Sequence, residues 1–324
     1  MKRIVLTVWT LAVLAMAAAA AAAQSYPSRP VTMIVPFPAG GPTDSLARIV
    51  SERMKAALGQ PVIIENVGGA GGSIGVTRVA RAAPDGYTIG IGQLTSYVFS
   101  SAVYNTSYDL LKDFEPVALL TTAPQWLIGR GDLPAKNLSE VITWLKSNGG
   151  KASFGTIGIG SPSHVFATLF QKTTGTQFQL VPYRGGAPAM QDLIGGQIDL
   201  SCLEASNTLA NVRAGKIKAF ALLSKARWAQ APDVPTAEEA GVPLAMPFWH
   251  GLWVPRGTPK DIVAKINAAV VDTLTDPAIT KRLADMGQEI PPRDQLTPAV
   301  LGAFHKAEIE KWWPVIKAAN IKAN

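Results

Sequence analysis

The stretch Thr32 to Asp44, TMIVPFPAGGPTD, decides how this chain is read. With Val31 before it, Met33-Ile34-Val35 forms an apolar run of the length of a short buried strand. Pro36 and Pro38 end it, because neither carries an N–H for a sheet ladder. Ala39-Gly40-Gly41 is a small-residue turn. Pro42 stands where a first helical residue tolerates proline, and Thr43 and Asp44 occupy the first turn. From there Leu46, Ile49, Val50, Met54, Ala57 and Leu58 recur at helical spacing. The reading is strand, loop, helix N-terminus. Such a junction offers backbone N–H groups and the positive end of a helix dipole to an anion. An ordinary βα turn reads the same way, so the junction gains weight only from the recurrence of its architecture.

Outward from this stretch the pattern repeats. Pro61–Glu65 reads as a second strand, Asn66–Gly72 as a glycine turn, Ser73–Ala82 as a helix and Tyr87–Ile91 as a third strand. That β-α-β-α-β order predicts a doubly wound, mainly parallel sheet. A strand from Val117 to Leu120 continues towards Trp126-Leu127-Ile128. Asn137–Glu140 announces a helix with Ser139 as its cap. A second unit follows: strand Ala152–Thr156, turn Gly158–His164, helix Val165–Lys172, strand Phe178–Pro182, turn Gly185–Pro188, helix Ala189–Ile194 and strand Ile198–Leu203. The repeat is one of architecture, without a clear repeat of sequence. Ile217–Leu223 and Trp249–Val254 read as further strands. The chain ends in helices over 262–274, 278–286 and 298–318.

The 324 residues suffice for about two domains. Lys2 and Arg3 precede an apolar run from Ile4 to Ala23, with Ala21-Ala22-Ala23 as a small-residue cleavage site, the form of a secretory signal peptide. An uncleaved anchor of that length would also span a bilayer, but the alanine-rich end favours cleavage near Ala23 and a periplasmic destination. Loss of Lys2 and Arg3 takes the basic count from 30 to 28 against 23 acids, a mild positive balance. No basic run is interleaved with aromatics, which argues against nucleic acid as a partner. Cys202 is the single cysteine, so an internal disulfide is excluded and burial is expected.

Candidate catalytic patterns are weak. Gly71-Gly72-Ser73-Ile74-Gly75 matches the G-x-S-x-G elbow of serine hydrolases, and a hydrolase built on Ser73 is the alternative reading. However, seven turn residues separate Glu65 from Ser73, too many for an elbow that places its serine directly after a strand. Gly158-Ile159-Gly160 lacks the third glycine of a dinucleotide fingerprint. His164, His250 and His305 show no metal spacing, so neither metal nor cofactor is expected. What remains are three anion-friendly turns, Phe37–Asp44, Gly158–His164 and Tyr183–Pro188. Ligands of open α/β sheets bind outside the carboxyl ends of the strands, and two such units facing each other would bring these turns together.

Several segments are more specific. They are VPFPAGGPTD (35–44), GQPVIIENVGGAGGSIG (59–75), APDGYTI (83–89), LKDFEPVALL (111–120), LVPYRGGAPAMQDLIGGQID (180–199), PDVPTAEEAG (232–241) and WHGLWVPRGTP (249–259). On these the chain resembles the Bug family, the periplasmic solute-binding proteins of tripartite tricarboxylate transporters, from about Tyr26 onwards. The resemblance implies a class II periplasmic-binding-protein fold, with two doubly wound α/β domains around an interdomain cleft. It implies domain 1 from residues 24–122 and 226–324, and domain 2 from 123–225, after a 1–23 leader. It implies a monomeric, non-enzymatic protein that closes over a small carboxylate and delivers it to membrane permease subunits; a sensor that docks to a receptor without transport is the other non-enzymatic reading.

Carried over by motif, Phe37, Pro38, Gly40, Gly41, Thr43 and Asp44 form one wall of the site. Thr156, Gly160, Ser161, Ser163 and His164 form the opposing loop. Tyr183, Gly185 and Asp199 come from the PYRG and GGQID motifs. Asp44 and Asp199 also read as loop-holding acids. Gly41 is expected to need a close backbone approach and a positive φ. Two departures from the family pattern bear on the ligand: Ile157 and Ile159 stand where small or polar residues are common, and Leu203-Glu204 replaces an Asp-Asn pair. They point to carboxylates without an amino group.

Overall fold

The computed structural model describes residues 26–322, so the expected leader lies outside the described residues. Ten strands form two five-stranded sheets. The first, in the order β2-β1-β3-β10-β4, contains β1 (Val31–Val35), β2 (Val62–Asn66), β3 (Thr88–Gln93), β4 (Phe114–Ala123) and β10 (Phe248–Pro255). The second, in the order β7-β6-β8-β5-β9, contains β5 (Gln125–Arg130), β6 (Ser153–Thr156), β7 (Gln179–Pro182), β8 (Leu200–Glu204) and β9 (Ile217–Leu222).

The sheets are built alike. Three parallel strands open each one, and the fourth strand runs antiparallel to its neighbours: β10 against β3 and β4, β5 against β8 and β9. The expectation of mainly parallel sheets holds, with one reversed strand in each. The chain first crosses between the sheets at Pro124. β4 ends at Ala123, the chain passes through one proline that cannot donate to a ladder, and β5 starts in the other sheet. The strand read from Val117 to Leu120 and the run Trp126–Ile128 towards which it continues therefore belong to two sheets.

Helices cover the faces. Pro42–Leu58 (α1) packs with Lys260–Thr275 (α8) on one face of the first sheet. Val31, Met33 and Val35 of β1 alternate onto that face to meet Leu46, Ile49, Val50, Ile266 and Val270, while Ile34 enters the other core. Pro298–Ala318 (α10) lies against β4 on the far face, above Trp249 and Trp253. Ser73–Ala80 (α2) sits so close to the end of β1 that a Cβ on Gly75 would lie 2.7 Å from the Val67 carbonyl oxygen and 2.9 Å from Pro36 Cα. Packing thus accounts for the last glycine of the G-x-S-x-G match.

The remaining helices are Ser100–Val103 (α3), Leu138–Ser147 (α4), Pro162–Thr174 (α5), Gly186–Ile194 (α6), Leu209–Arg213 (α7) and Pro277–Asp285 (α9). A π-helical turn over Thr95–Phe99 leads into α3. It is buried at every residue, so it carries no polar face and gives no helical period to read. Helix α4 is capped by Asn137 rather than Ser139. The Asn137 side chain accepts from the Glu140 N–H at 2.9 Å, and Glu140 in turn accepts from the Lys136 N–H at 2.8 Å.

Candidate functional site

The turn after β1 is closed by Asp44. Its carboxylate accepts from the Gly40 N–H at 2.8 Å, from Arg48 at 2.9 and 3.1 Å, and from Asn66 Nδ2 at 2.9 Å. The side chain is 2% exposed. Burial would raise its pKa, but the bonds from Arg48, the Gly40 N–H and Asn66 outweigh burial and hold the carboxyl below its ordinary value. Asp44 is thereby engaged as the acid that folds Gly40 back over the helix. The Gly40 N–H is engaged too, at φ +84. Gly41 has φ −80 and ψ 172, an extended N-cap geometry open to any residue, so the positive φ expected there belongs to Gly40 instead. No side chain caps α1, which leaves its first-turn N–H groups without a side-chain partner.

The turn after β6 has nearly the same backbone. Gly160 has φ +72, Ser161 is the N-cap at φ −73 and ψ 162, and Pro162 opens α5. The Gly160 N–H donates to His164 Nδ1 at 2.9 Å, four residues on, as Gly40 does to Asp44. The two turns therefore share a short sequence signature, Gly40-Gly41-Pro42-Thr43-Asp44 and Gly160-Ser161-Pro162-Ser163-His164. Sequence reading had found repetition of architecture only. The signal was present as Gly-x-Pro-hydroxyl-acceptor, but five residues of small, common types do not stand out until their backbones are laid side by side.

The second turn differs in its cap. Ser161 Oγ accepts from the His164 N–H at 3.3 Å and lies 3.0 Å from Ser163 Oγ, which accepts from the Ile157 N–H at 2.9 Å. Thr156, Ser161 and Ser163 are buried, and Gly160 packs on Val103, so closely that a Cβ there would lie 2.8 Å from the valine. Burial pushes the His164 pKa below its ordinary value. The ring is then neutral near pH 7, and because Nδ1 accepts, its one proton sits on Nε2.

Tyr183, next to this turn, has its N–H on the Thr156 carbonyl oxygen at 2.8 Å and donates its hydroxyl to Asp192 of α6 at 2.6 Å. Burial, with the bond to Asp192 and its charge, pushes the phenol up to about 12. Gly185, at φ +111, is the N-cap of α6, and no side chain caps that helix either. Phe37 is half-buried and its carbonyl oxygen accepts from Asn66 at 3.0 Å; Pro38 is exposed.

Asp199 stands apart. It precedes β8, accepts from Arg130 Nε at 2.9 Å and from Ser153 N–H and Oγ at 2.8 and 3.0 Å, and so clamps the starts of β6 and β8. Ser153 is three residues before Thr156, about 10 Å along the strand from the turn. The structure does not bring Asp199 to the other candidates. Leu203 is buried beside Trp126, Ile157 is half-buried, and Ile159 is 48% exposed, with its carbonyl oxygen 3.4 Å from the Tyr104 hydroxyl. Ser73 is not served by a histidine: His164 bonds Gly160, His305 bonds the Tyr97 carbonyl and His250 bonds two threonines. Among the described residues, no cluster of potential metal ligands occurs and no helix is long and apolar enough to cross a membrane.

Sequence reading missed a buried polar chain beneath these turns. Thr43 Oγ1 lies 3.2 Å from His250 Nε2, and His250 Nδ1 lies 3.3 Å from Thr121 Oγ1. Thr121 Oγ1 donates to Gln288 Oε1 at 2.7 Å, and Gln288 Nε2 donates to Glu204 Oε1 at 2.5 Å. Ser206 Oγ donates to the same glutamate oxygen at 3.0 Å. These residues come from five distant stretches of chain, so no local pattern announces them.

Comparison with known proteins agrees with this architecture. The sequence profile of the tripartite tricarboxylate transporter family receptor matches residues 46–321. The structure of the periplasmic binding protein BugD is similar, with a TM-score of 0.83 and 40% identity over 92% of this chain and 100% of that one. MatC from Rhodopseudomonas palustris, solved with bound malate, gives 0.83 and 41% over 90% of this chain and 100% of that one. Rpa4515 from the same organism, solved with adipate, gives 0.84 and 33% over 92% of this chain and 100% of that one.

Proposed function

The chain belongs to the tripartite tricarboxylate transporter family of receptors, the Bug periplasmic solute-binding proteins, and we propose that it captures a small dicarboxylate between two closing lobes and delivers it to a membrane permease. The observation that carries the reading is the α1 N-terminus. It has the backbone of a capped helix start but no capping side chain, in a chain 41% identical to a receptor solved with malate. A carboxylate oxygen would take the place of the missing cap. The Nε2–H of His164 would serve a ligand oxygen from the other side, with Ser161, Ser163 and Thr156 holding its loop.

Phe37, Pro38 and Tyr183 then act as walls, and Gly185 presents another helix start without a side-chain cap. Asp44 and Asp199 act as loop holders without touching ligand. One lobe comprises residues 24–122 and 226–324 and the other 123–225. This division is supported by the two sheets, whose strands fall on either side of it except for Ala123, the last residue of β4. Export with loss of a leader near Ala23 places the protein in the periplasm as a monomer.

Isothermal titration with malate, succinate, adipate, citrate and benzoate tests the reading, alongside small-angle scattering with and without the tightest binder. Saturable one-to-one binding with a fall in radius of gyration is expected. No binding by any of these acids, or binding with an unchanged radius, would overturn it.

A further inference from the structure

We propose that the buried chain Thr43–His250–Thr121–Gln288–Glu204 is a reversible hydrogen-bond relay that links carboxylate capture at the α1 N-terminus to the uptake of one proton at Glu204. The inference rests on the reading above, in which that N-terminus receives the carboxylate.

Proton counting fixes the direction of the chain. Thr121 has one hydroxyl proton, and it goes to Gln288 Oε1. His250 Nδ1 must therefore donate to Thr121 Oγ1. His250 is fully buried, which pushes its pKa down to about 3, so the ring is neutral with a single proton. Nε2 is then an acceptor, and it takes the hydroxyl proton of Thr43. With Glu204 ionised, every donor points towards the glutamate. Thr43 has only lone pairs left for the first turn of α1, which suits a carboxylate poorly.

A proton on Glu204 permits the opposite order. The acid O–H donates to Gln288 Oε1 after the amide turns over. Gln288 Nε2 donates to Thr121, Thr121 to His250 Nδ1, and His250 Nε2 to Thr43, the neutral ring having exchanged Nδ1–H for Nε2–H. The Thr43 hydroxyl proton is released to a ligand carboxylate. The balance is one proton from solvent, which becomes the O–H of Glu204. The distances accommodate both orders: 2.5 Å between Gln288 and Glu204 is short for N–H···O and lies at the short end of the range for O–H···O.

The surroundings suit a proton that comes and goes near neutrality. Glu204 is buried, and burial raises its pKa to about 7 against the opposing bonds from Ser206 and Gln288. Among the described residues no lysine or arginine bonds to it. On its own strand Cys202 faces the same way, with its thiol directed at Gln125 of β5. From the segment after α9 come Gln288 and its exposed neighbour Glu289. At the other end of the relay Asp44 is paired with Arg48. His305 and Glu308 of α10 bond the Tyr97 carbonyl, Trp249 and Trp312 under the opposite face of β10.

Nitrogen-15 spectra of the histidine rings in the full mature chain test the relay without a ligand. His250 should be the Nε2–H tautomer at pH 6 and Nδ1–H at pH 8.5, and Glu204→Gln should abolish the change. Titration with malate and adipate supplies the second readout, between pH 6.5 and 8.5, above the range of ordinary carboxyls. Affinity should fall about tenfold or more over that range, bounded by tenfold per pH unit for one linked proton. Thr121→Val, which cuts the relay while leaving Glu204 in place, should flatten the profile. Ser206→Ala, the milder variant should Glu204→Gln misfold, should move the midpoint to higher pH. A His250 tautomer unchanged from pH 6 to 8.5 would overturn the relay whether or not an acid binds. Binding with a flat pH profile would overturn it and leave the binding function standing; no binding by any acid would overturn the function alone.

Discussion

The N-termini of α1 and α5 share one backbone geometry and differ in their caps. Both follow a parallel strand, turn on a glycine in the left-handed region, start with proline at the first helical position, and return the glycine N–H to a side chain four residues on. At α5 the cap is Ser161, whose hydroxyl takes up the His164 N–H. At α1 the cap is Gly41, which has nothing to give. The acceptor four residues on is a neutral imidazole at α5 and a carboxylate locked to Arg48 at α1. One helix start carries a side-chain cap, and the other has none. An open helix terminus costs stability that a ligand would restore, so under the proposed function the difference would mark where binding energy is kept.

The sharpest way to break the comparison is to give α1 the cap it lacks. Gly41 already has N-cap dihedrals, and a Cβ there would meet only the Pro38 carbonyl oxygen, at 3.7 Å. Gly41→Asp should therefore fold normally, with a melting temperature equal to or above that of the parent. Its carboxylate would occupy the first-turn N–H groups and repel an incoming anion. Affinity for the best dicarboxylate should drop by about a hundredfold or more, the scale of losing charge-assisted bonds of about 1.5–3 kcal/mol each. Titration calorimetry checks the loss and thermal unfolding checks the fold. Undiminished affinity would move the site away from α1.

Asp44 tests the other half of the comparison, the acceptor. Asp44→Ala would leave the Gly40 N–H and Asn66 without their partner, at a cost of about 1–3 kcal/mol, where His164→Ala at the equivalent place in α5 should cost less because a neutral bond is lost. The pH dependence carries a sign. Asp44 has a folded pKa below its unfolded one, so its contribution is complete above the ordinary carboxyl range and is lost as pH falls through the lowered value. The parent should lose stability relative to Asp44→Asn in acid, and denaturant unfolding from pH 7 to pH 3 measures this.

What sequence could reveal divides along the same line. The strand-loop-helix order was legible because Val31–Val35 and Leu46–Leu58 carry plain periodicity and Pro42 marks the helix start. The three turns were legible through their glycines and prolines. The distinction between them was not, because a hydroxyl at position 161 and its absence at 41 matter only once both backbones are known to match. Asp199 was drawn in by its motif, yet three-dimensional register puts it at the wrong end of β6. The relay under α1 joins residues 43, 121, 204, 250 and 288, a constellation that long-range topology alone assembles.

Ligand choice sharpens the contrast next. The aspartates carried over by motif are both spent on arginines, Asp44 on Arg48 and Asp199 on Arg130; Asp192 is taken by the Tyr183 hydroxyl, and Leu203 is buried beside Trp126. A ligand ammonium would lose water and gain no free carboxylate from these residues. Succinate and aspartate differ by that group alone, so succinate should bind about tenfold more tightly at pH 7. A competition titration decides, and tighter binding of aspartate would place a free acceptor, the Thr43 oxygen or Glu204, in contact with the ligand.

The smallest effect comes from undoing the cap at α5. Ser161→Ala removes the bond to the His164 N–H and should cost about 1 kcal/mol, the usual worth of a serine N-cap. For a chain of this size that is a shift in melting temperature of about 1.5–2 °C. Ser161→Gly should cost only a few tenths of a kcal/mol, because water then reaches the freed N–H. It would also turn the α5 start into a copy of the one at α1. If α5 is closed only by that hydroxyl, the glycine variant should acquire a second, weak carboxylate site, read as a second step in calorimetry at millimolar succinate. If Gly160 and Val103 also shield it, as their close packing indicates, the variant should bind one ligand as before. We expect the second outcome: a further site would mean that the missing cap alone makes α1 receptive, with the burial around it adding nothing.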